Sequence, residues 1–541
     1  MIQDIEGARQ AIVLLLNLVE ELKQENIAQR VEIQRLRDEI NRLKGEQGKP
    51  DIKPNRKSPK NDDHSSEDER RRGKKPRKPK KRKKLKDVKI DREEYLEIDK
   101  ATLPEDAKFQ GYDPVTIQDL RIETDNVRFY RARYYSAAER KNYVAPLPEG
   151  YAGQFGPTIR SLIISLYYAG GMSEPKIIEL IEQMGVNISD GKVSELLTKK
   201  IEEWQEEADA IVVAGLQSSS WQHIDDTGTR VNGVNGYCHI LSNPFYTAYA
   251  TRPQKNRLTV IAVLQNSEKR AYLFNEQTEA WLQTFNLPLW AQKKVATWPQ
   301  GELLPEEEVE KLLSGELSER LGQQQQARIC EAGALTAYYA QDKYAVIPIL
   351  VSDDAPQFQH LTEEQALCWI HEGRHYKKLQ PQVPYHREIL DKVLKQFWDY
   401  YHKLQAYRAN PNAEAETELR LEFRNIFAQT TDYEQLNQRL AKTLAHEEKL
   451  LVVLNHPEVP LHNNPAELGA RQRVRKRDVS FGPRTEAGRI AWDSFMTVAE
   501  TAKKLGVSFY QYVFDRVSRT NAMPSLADMI QSRSQPDFAP P

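Results

Sequence analysis

Three strand-like segments set close together, with a fourth far downstream, constrain this chain most. Residues 221–231, 236–242 and 246–251 carry β-branched and aromatic residues in short runs. Asn232-Gly233, Asn235-Gly236 and Asn243-Pro244 supply the turns between them. The spacing predicts an antiparallel meander with Asp225 in its first strand. A buried-type strand over Tyr344–Ser352 then ends at Asp353, although Pro348 inside it is poorly suited to a central strand. Residues 275–340 read as mainly helical, and residues 361 to about 450 as long, charged helices. Glu467 opens another helix, and a last one over 486–505 repeats Ile490, Ala491, Phe495, Val498, Ala502 and Leu505 at helical spacing.

Three antiparallel strands, a helix, a parallel strand and a helix form the order of a ribonuclease H-like α/β core. Such a core would carry Asp225, Asp353 and Glu467 on its first strand, its fourth strand and a late helix. The gaps of 128 and 114 residues require helical insertions. Carboxylates gathered this way can hold two Mg²⁺ (or Mn²⁺) ions about 4 Å apart and activate water or a 3′-hydroxyl against a phosphodiester. Each acid also has a plainer account. Asp225-Asp226 could be a turn or surface pair, and Asp353-Asp354 could simply end a strand. For Glu467, Asn464 as N-cap, Pro465 and Glu467 could form a capping box. The order of all three favours the metal reading over the separate ones.

The N-terminus repeats every seven residues. Ile12, Val19, Asn26, Ile33 and Ile40 fall at position a; Leu15, Leu22, Gln29, Leu36 and Leu43 fall at d. β-Branched residues at a with Leu at d favour a parallel dimer, and a buried Asn26 pair would fix its register. Glu25, Glu32 and Glu39 at g face Lys23, Arg30 and Arg37 at e. A single amphipathic helix packed on its own domain is the alternative. Ile12, Leu15, Val19, Leu22, Asn26, Ile33, Leu36, Ile40 and Leu43 are therefore the expected dimerisation residues.

The net charge of −1 hides a block of thirteen Lys or Arg between Arg70 and Lys86. Lys80, Lys81, Arg82, Lys83 and Lys84 at its centre point to a polyanion such as DNA. Three cysteines are too few for a disulfide framework and suit a reducing cytosol. No apolar run reaches the roughly 20 residues of a membrane span. A cytoplasmic, nucleoid-associated protein is expected.

These patterns divide the chain as a multidomain α/β protein. Residues 1–45 form a coiled coil and 46–95 a disordered basic linker. A small module covers 96–150, and 151–210 is a helical region. The core's first part is 215–360, a helical insertion covers 361–455, the core's last part is 456–515, and 516–541 is a tail. Within 157–200, Ser173 can cap one helix, with Pro175 in its first turn; Gly185 breaks the pattern and Ser189 caps the next. That outline matches a helix-turn-helix as well as an ordinary helical hairpin. Arg471, Arg473, Arg475, Lys476 and Arg477 follow Glu467 closely, where cations would steady a DNA backbone near the acids.

The segments IDDTGTRV, LVSDDAPQF, CWIHEGRHYKKL and NNPAELGARQRVRKRDVSFGPRTEAGRIAWDSF resemble those of DDE-type transposases of the bacterial insertion sequence sixty-six family. The resemblance covers roughly residues 110–515. It implies Asp225, Asp353 and Glu467 as catalytic metal ligands, DNA (terminal inverted repeats and target) as substrate, and accessory proteins of the same element as partners. The family's Cys-rich zinc module is expected to lack its zinc here, because residues 128–151 contain no Cys. Cys368, His371 and His375 have metal-ligand spacing, but a packed or DNA-contacting cluster is the preferred reading. The function implied is cleavage and joining of insertion-sequence ends. A catalytically inactive or repurposed DNA-binding dimer, or a nuclease without strand transfer, are the alternatives.

Overall fold

The computed structural model describes residues 5–43, 90–99, 102, 104, 107–151, 153–267, 269–342 and 346–534. The basic block with Lys80, Lys81, Arg82, Lys83 and Lys84, and most of the expected linker, lie outside the described residues.

Helix α1, Ile5–Leu43, covers the heptads. An exposed hairpin, β1 (Arg133–Ser136) with β2 (Lys141–Val144), occupies the place of the small module. Helices α2 (Pro157–Tyr168), α3 (Glu174–Gln183) and α4 (Asp190–Thr198) follow. Ser189 caps α4 by accepting from the Lys192 N–H, whereas Ser173 stands at the N-cap of α3 without a side-chain bond. Helix α5, Glu202–Gln217, leads into the sheet.

That sheet has five strands in the order β5-β4-β3-β8-β9. Strands β3 (Trp221–Val231), β4 (Val234–Ser242) and β5 (Thr247–Arg252) are antiparallel. Asn232 and Gly233, with φ of 49° and 78°, make the tight hairpin turn. Asn235-Gly236 does not turn the chain; it lies inside β4, because the hairpin closes two residues earlier. Helix α6, Arg257–Leu264, and strand β6, Ala271–Leu273, precede the stretch expected to be mainly helical, which is so except for strand β7, Leu303–Pro305, antiparallel to β6. Helix α7, Gln323–Ala340, precedes β8, Ile349–Ser352, which runs parallel to β3. Pro348 sits just before β8, where its carbonyl accepts from the Glu364 N–H, so the strand never has to accommodate it. Strand β9, Glu364–Leu367, pairs parallel to β8 inside the region read as helical.

The insertion then builds α8 (Trp369–Lys377), α9 (Pro384–Ala409), α10 (Ala413–Phe427) and α11 (Glu434–Ala445). It has its own aromatic core around Trp369, Phe397, Tyr400 and Phe423. Val452 and Val459 join it to the sheet by packing with Trp221, Ile349, Val351 and Ala366. Helices α12 (Asn464–Ser480) and α13 (Glu486–Lys504) pack on the meander. A second cluster runs from Ile163 in α2 through the meander to Ile530. The 151–210 helices therefore share the core of the sheet. The expected tail, as far as residue 534, packs on the same core: α14 (Phe509–Val517) and α15 (Leu526–Arg533) follow, and Leu526 and Ile530 are fully buried.

Helix α1 has two distinct faces. Asn17, Glu20 and Gln24, spaced as one helical face, dock on the insertion. Asn17 bonds the Asp432 carbonyl and the Glu434 N–H, and Gln24 bonds Gln435. The buried Glu20 carboxylate accepts from the Gln382 and Val383 N–H groups at 2.7 and 2.8 Å and faces His386 Nδ1 at 3.3 Å. Those amides begin α9, so an anion caps its positive end. The heptad stripe faces away: Ile12, Leu15, Val19, Leu22, Ile33, Leu36 and Ile40 are 41–58% exposed.

Gly469 sets how closely α12 lies on the sheet, since a Cβ there would stand 2.7 Å from Ile240 Cγ2. Gly469→Ala should cost about 1–3 kcal/mol by overpacking. In a double-mutant cycle by urea unfolding, Gly469→Ala with Ile240→Ala should cost clearly less than the sum of the single changes; simple additivity would refute this contact.

Candidate active site

Register brings the first two acids together. Strand β3 pairs with β8 through Trp221↔Ile349, Gln222↔Leu350 and His223↔Val351. Continuing that offset two residues past the last paired position brings Asp353 beside Asp225, whose carboxyl feels its charge. Burial raises the Asp225 carboxyl to about pKa 7, and the charges of Asp353, Glu467 and Asp226 add to it against one opposing bond from the Asp226 N–H.

Glu467 is delivered by the start of α12. The N-cap is Asn463 and not Asn464, and its side chain forms no cap bond. Instead its Nδ2 donates to the Ile224 carbonyl at 2.7 Å, and its Oδ1 meets His223 Nδ1 at 2.9 Å. The capping-box account of Glu467 therefore fails in this structure. One helical turn later, the Glu467 carboxylate lies beside Arg374 (3.3 Å) and His371 (3.5 Å), both from α8. Arg374 also reaches His371 Nε2 at 3.0 Å. Glu467 Oε1 and His371 Nδ1 are buried and make no hydrogen bond among the described residues.

The neighbouring residue Asp226 turns elsewhere, accepting from Gln357 Nε2 at 2.8 Å and lying 3.5 Å from Lys255 Nζ. Asn463, Arg374, Gln357 and Lys255 were missed as site residues from sequence. The i,i+3 pair His371 and Arg374 lay in a segment already singled out, whereas nothing local marks Asn463 as a bridge across 240 residues.

Of the second candidate metal set, Cys368 and His371 do converge, but with Glu467 and not with His375; one donor atom from each lies within 4.8 Å of the others. His375 faces the charges of Arg439 and Glu372. Cys368 is buried, its thiol pushed up to about 12, and its sulfur accepts from the Asn463 N–H. Three carboxylates, one with an orphaned buried oxygen, fit a hard divalent cation better than they fit zinc.

The basic run on α12 divides. Arg471 and Arg475 are exposed and Arg477 is half-buried. Arg473 is 1% exposed, pairs with Asp493 at 3.2 Å, donates to Thr251 and stacks on Trp492. Lys476 is buried over the Tyr167 ring and donates to the Tyr167 and Met172 carbonyls. Burial lowers it to about pKa 7. Arg473 and Lys476 thus hold α12 to the core, and the expectation that they touch DNA is corrected.

Asp225→Asn should stabilise the metal-free protein. Below about pH 4 the carboxyl is protonated whether the chain is folded or unfolded. Between about 4 and 7 the unfolded chain has released a proton that the native state keeps, so native stability falls as pH rises; above 7 the penalty is complete. Urea unfolding at pH 8 should show the variant more stable by roughly 2–4 kcal/mol, with the gain gone near pH 4. An equal gain at both pH values would refute the assigned burial.

Residues 319–490 match the family model described as Transposase IS66 family. Asp353, Glu467, His371 and Arg374 lie inside that span, and Asp225 precedes it. An uncharacterized protein, y4jO, of Sinorhizobium fredii is 28% identical over 322 residues, which is 59% of this chain and 99% of that protein. Over the part that brings two of the three acids to the site, the chain is thus similar to the transposases of the IS66 family.

Proposed function

We propose that the chain is a DNA transposase that cleaves and joins the ends of an insertion sequence at Asp225, Asp353 and Glu467. The observation that carries this is the register of β3 with β8, together with the Asn463 anchor that presents Glu467 beside them. The sheet order β5-β4-β3-β8-β9, antiparallel on one side and parallel on the other, supports a ribonuclease H-like core. The three acids would hold Mg²⁺ or Mn²⁺, which when bound lowers the pKa of the attacking water and stabilises the leaving 3′-oxygen.

The chain's own groups do the rest. Asp225 must lose its proton to bind a cation. Arg374 neutralises Glu467 and sits where a DNA phosphate would approach. Arg471 and Arg475 give α12 an exposed cationic side for the DNA backbone. Helices α2 to α4 are proposed to read the terminal repeats, and the basic block to add salt-sensitive affinity. The cell compartment proposed is the cytoplasm, on the nucleoid. Among the described residues no helix is long and apolar enough to cross a membrane.

Labelled duplexes carrying the element's terminal repeats test the chemistry. Glu467→Ala and Asp353→Asn should each lower Mg²⁺-dependent cleavage by about a thousandfold while end binding changes less than about threefold. Retained cleavage would refute the assignment. Hydrolysed ends without joined strands would make the protein a nuclease, and no cleavage by the unmodified chain would leave a DNA-binding dimer.

Dimerisation through α1 is part of the same proposal, supported by the exposed heptad stripe on the face not docked to the insertion. Leu15→Asp with Leu22→Asp should halve the mass measured by light scattering. Glu20→Ala should leave the dimer intact. An unchanged mass for the double variant would exclude the zipper.

A further inference from the structure

We propose that a cavity at the far end of β3 receives an unpaired nucleobase of the DNA strand held at the acidic site; this rests on the DNA-processing reading above. The cavity measures about 600 Å³ and is lined by Gly228, Arg230, Tyr237, Arg477, Asp478 and Phe481 among others. That is within the range of small-molecule sites. Phe481 is the unusual member. It ends α12 in the left-handed region, at φ 59°, and is 85% exposed. A large aromatic side chain spends neither backbone strain nor exposure to water without a compensating contact elsewhere.

The following turn is fastened to the β3–β4 hairpin. The Asn232 N–H donates to the Pro483 carbonyl at 3.0 Å, and a Cβ on Gly482 would meet the Arg230 carbonyl at 2.9 Å. Phe481 is therefore held at the cavity, and not on a loose loop. Around it stand the groups that a base and its phosphate require. Phe481 and Tyr237 give two aromatic faces for stacking. Arg230 and Arg477 bring positive charge, and the Asp478 carboxylate, 3.6 Å from Arg477, can accept from a base amino group. Lys255 lies 5.4 Å from the Tyr237 ring and adds a further cation on the side of Asp226. The floor is open: a Cβ built on Gly228 meets nothing within 4 Å. Gly228 follows Asp225 by three positions on β3, about 10 Å, or roughly three base rises of 3.4 Å. The base captured would lie two or three nucleotides from the phosphate being cut.

The full-length chain is titrated against a duplex with a three-nucleotide 3′ tail carrying 2-aminopurine at each tail position in turn. One position should be quenched by stacking in the unmodified protein and in Phe481→Trp. Quenching should be lost in Phe481→Ala and in Gly228→Val, which fills the cavity with a strand-compatible residue. Total affinity by anisotropy should fall about tenfold or less. Quenching in Phe481→Ala and Gly228→Val as strong as in the unmodified protein would overturn the proposal. So would the absence of quenching at every position while Asp225-dependent cleavage of the same DNA proceeds. A chain that neither binds nor cuts this DNA would overturn the functional reading along with the cavity's role.

Discussion

The site depends on one side chain, the amide of Asn463. It spans from the first turn of α12 to two successive residues of β3, bonding the Ile224 carbonyl and the buried His223 ring. Both partners lie away from water, so each bond is expensive to lose. This bridge ties the first turn of α12 to β3, and with it the direction in which Glu467 is presented. The second constraint is chemical. Like charges are crowded where burial already opposes ionisation, an arrangement that a bound cation would relieve.

Anchorage of α12 explains why its basic run cannot all face DNA. A helix that presents a carboxylate against a sheet must itself be held, and Arg473 with Lys476 hold it. Arg473 belongs to a network with Thr251 and Asp493, which also receives Arg489. Lys476 satisfies carbonyls at the end of α2, tying the helical region to the core. The i,i+3 spacing of these two residues puts them on one inward face, and Arg471 and Arg475 fall on the other.

Much of this was legible because hairpins and strand ends are written locally. The Asn232-Gly233 turn, the meander, Asp225, and Asp353 at the end of a parallel strand follow from period-two patterning and turn chemistry. The rest was hidden for definite reasons. β9 is four residues long and reads as the start of a helix, because its support comes from pairing with β8. The inward turn of Arg473 and Lys476 could not be read from charge alone, since their partners are Asp493 and backbone carbonyls from distant elements. Glu467 satisfies the residue spacing of a capping box, and only the three-dimensional competition for Asn463 shows that it does not make one. The two faces of α1 were half visible: the heptads mark one, but Glu20 as a cap for α9 involves a residue 362 positions away.

The placement of α15 has a consequence for synthesis. Leu526 and Ile530 are buried against α5, the helix that leads directly into β3. A chain emerging from the ribosome therefore leaves the flank of α5 that α15 covers exposed until residues 526–530 have been made. Premature termination upstream of them would leave that flank bare, so such incomplete products would be targets for proteolysis.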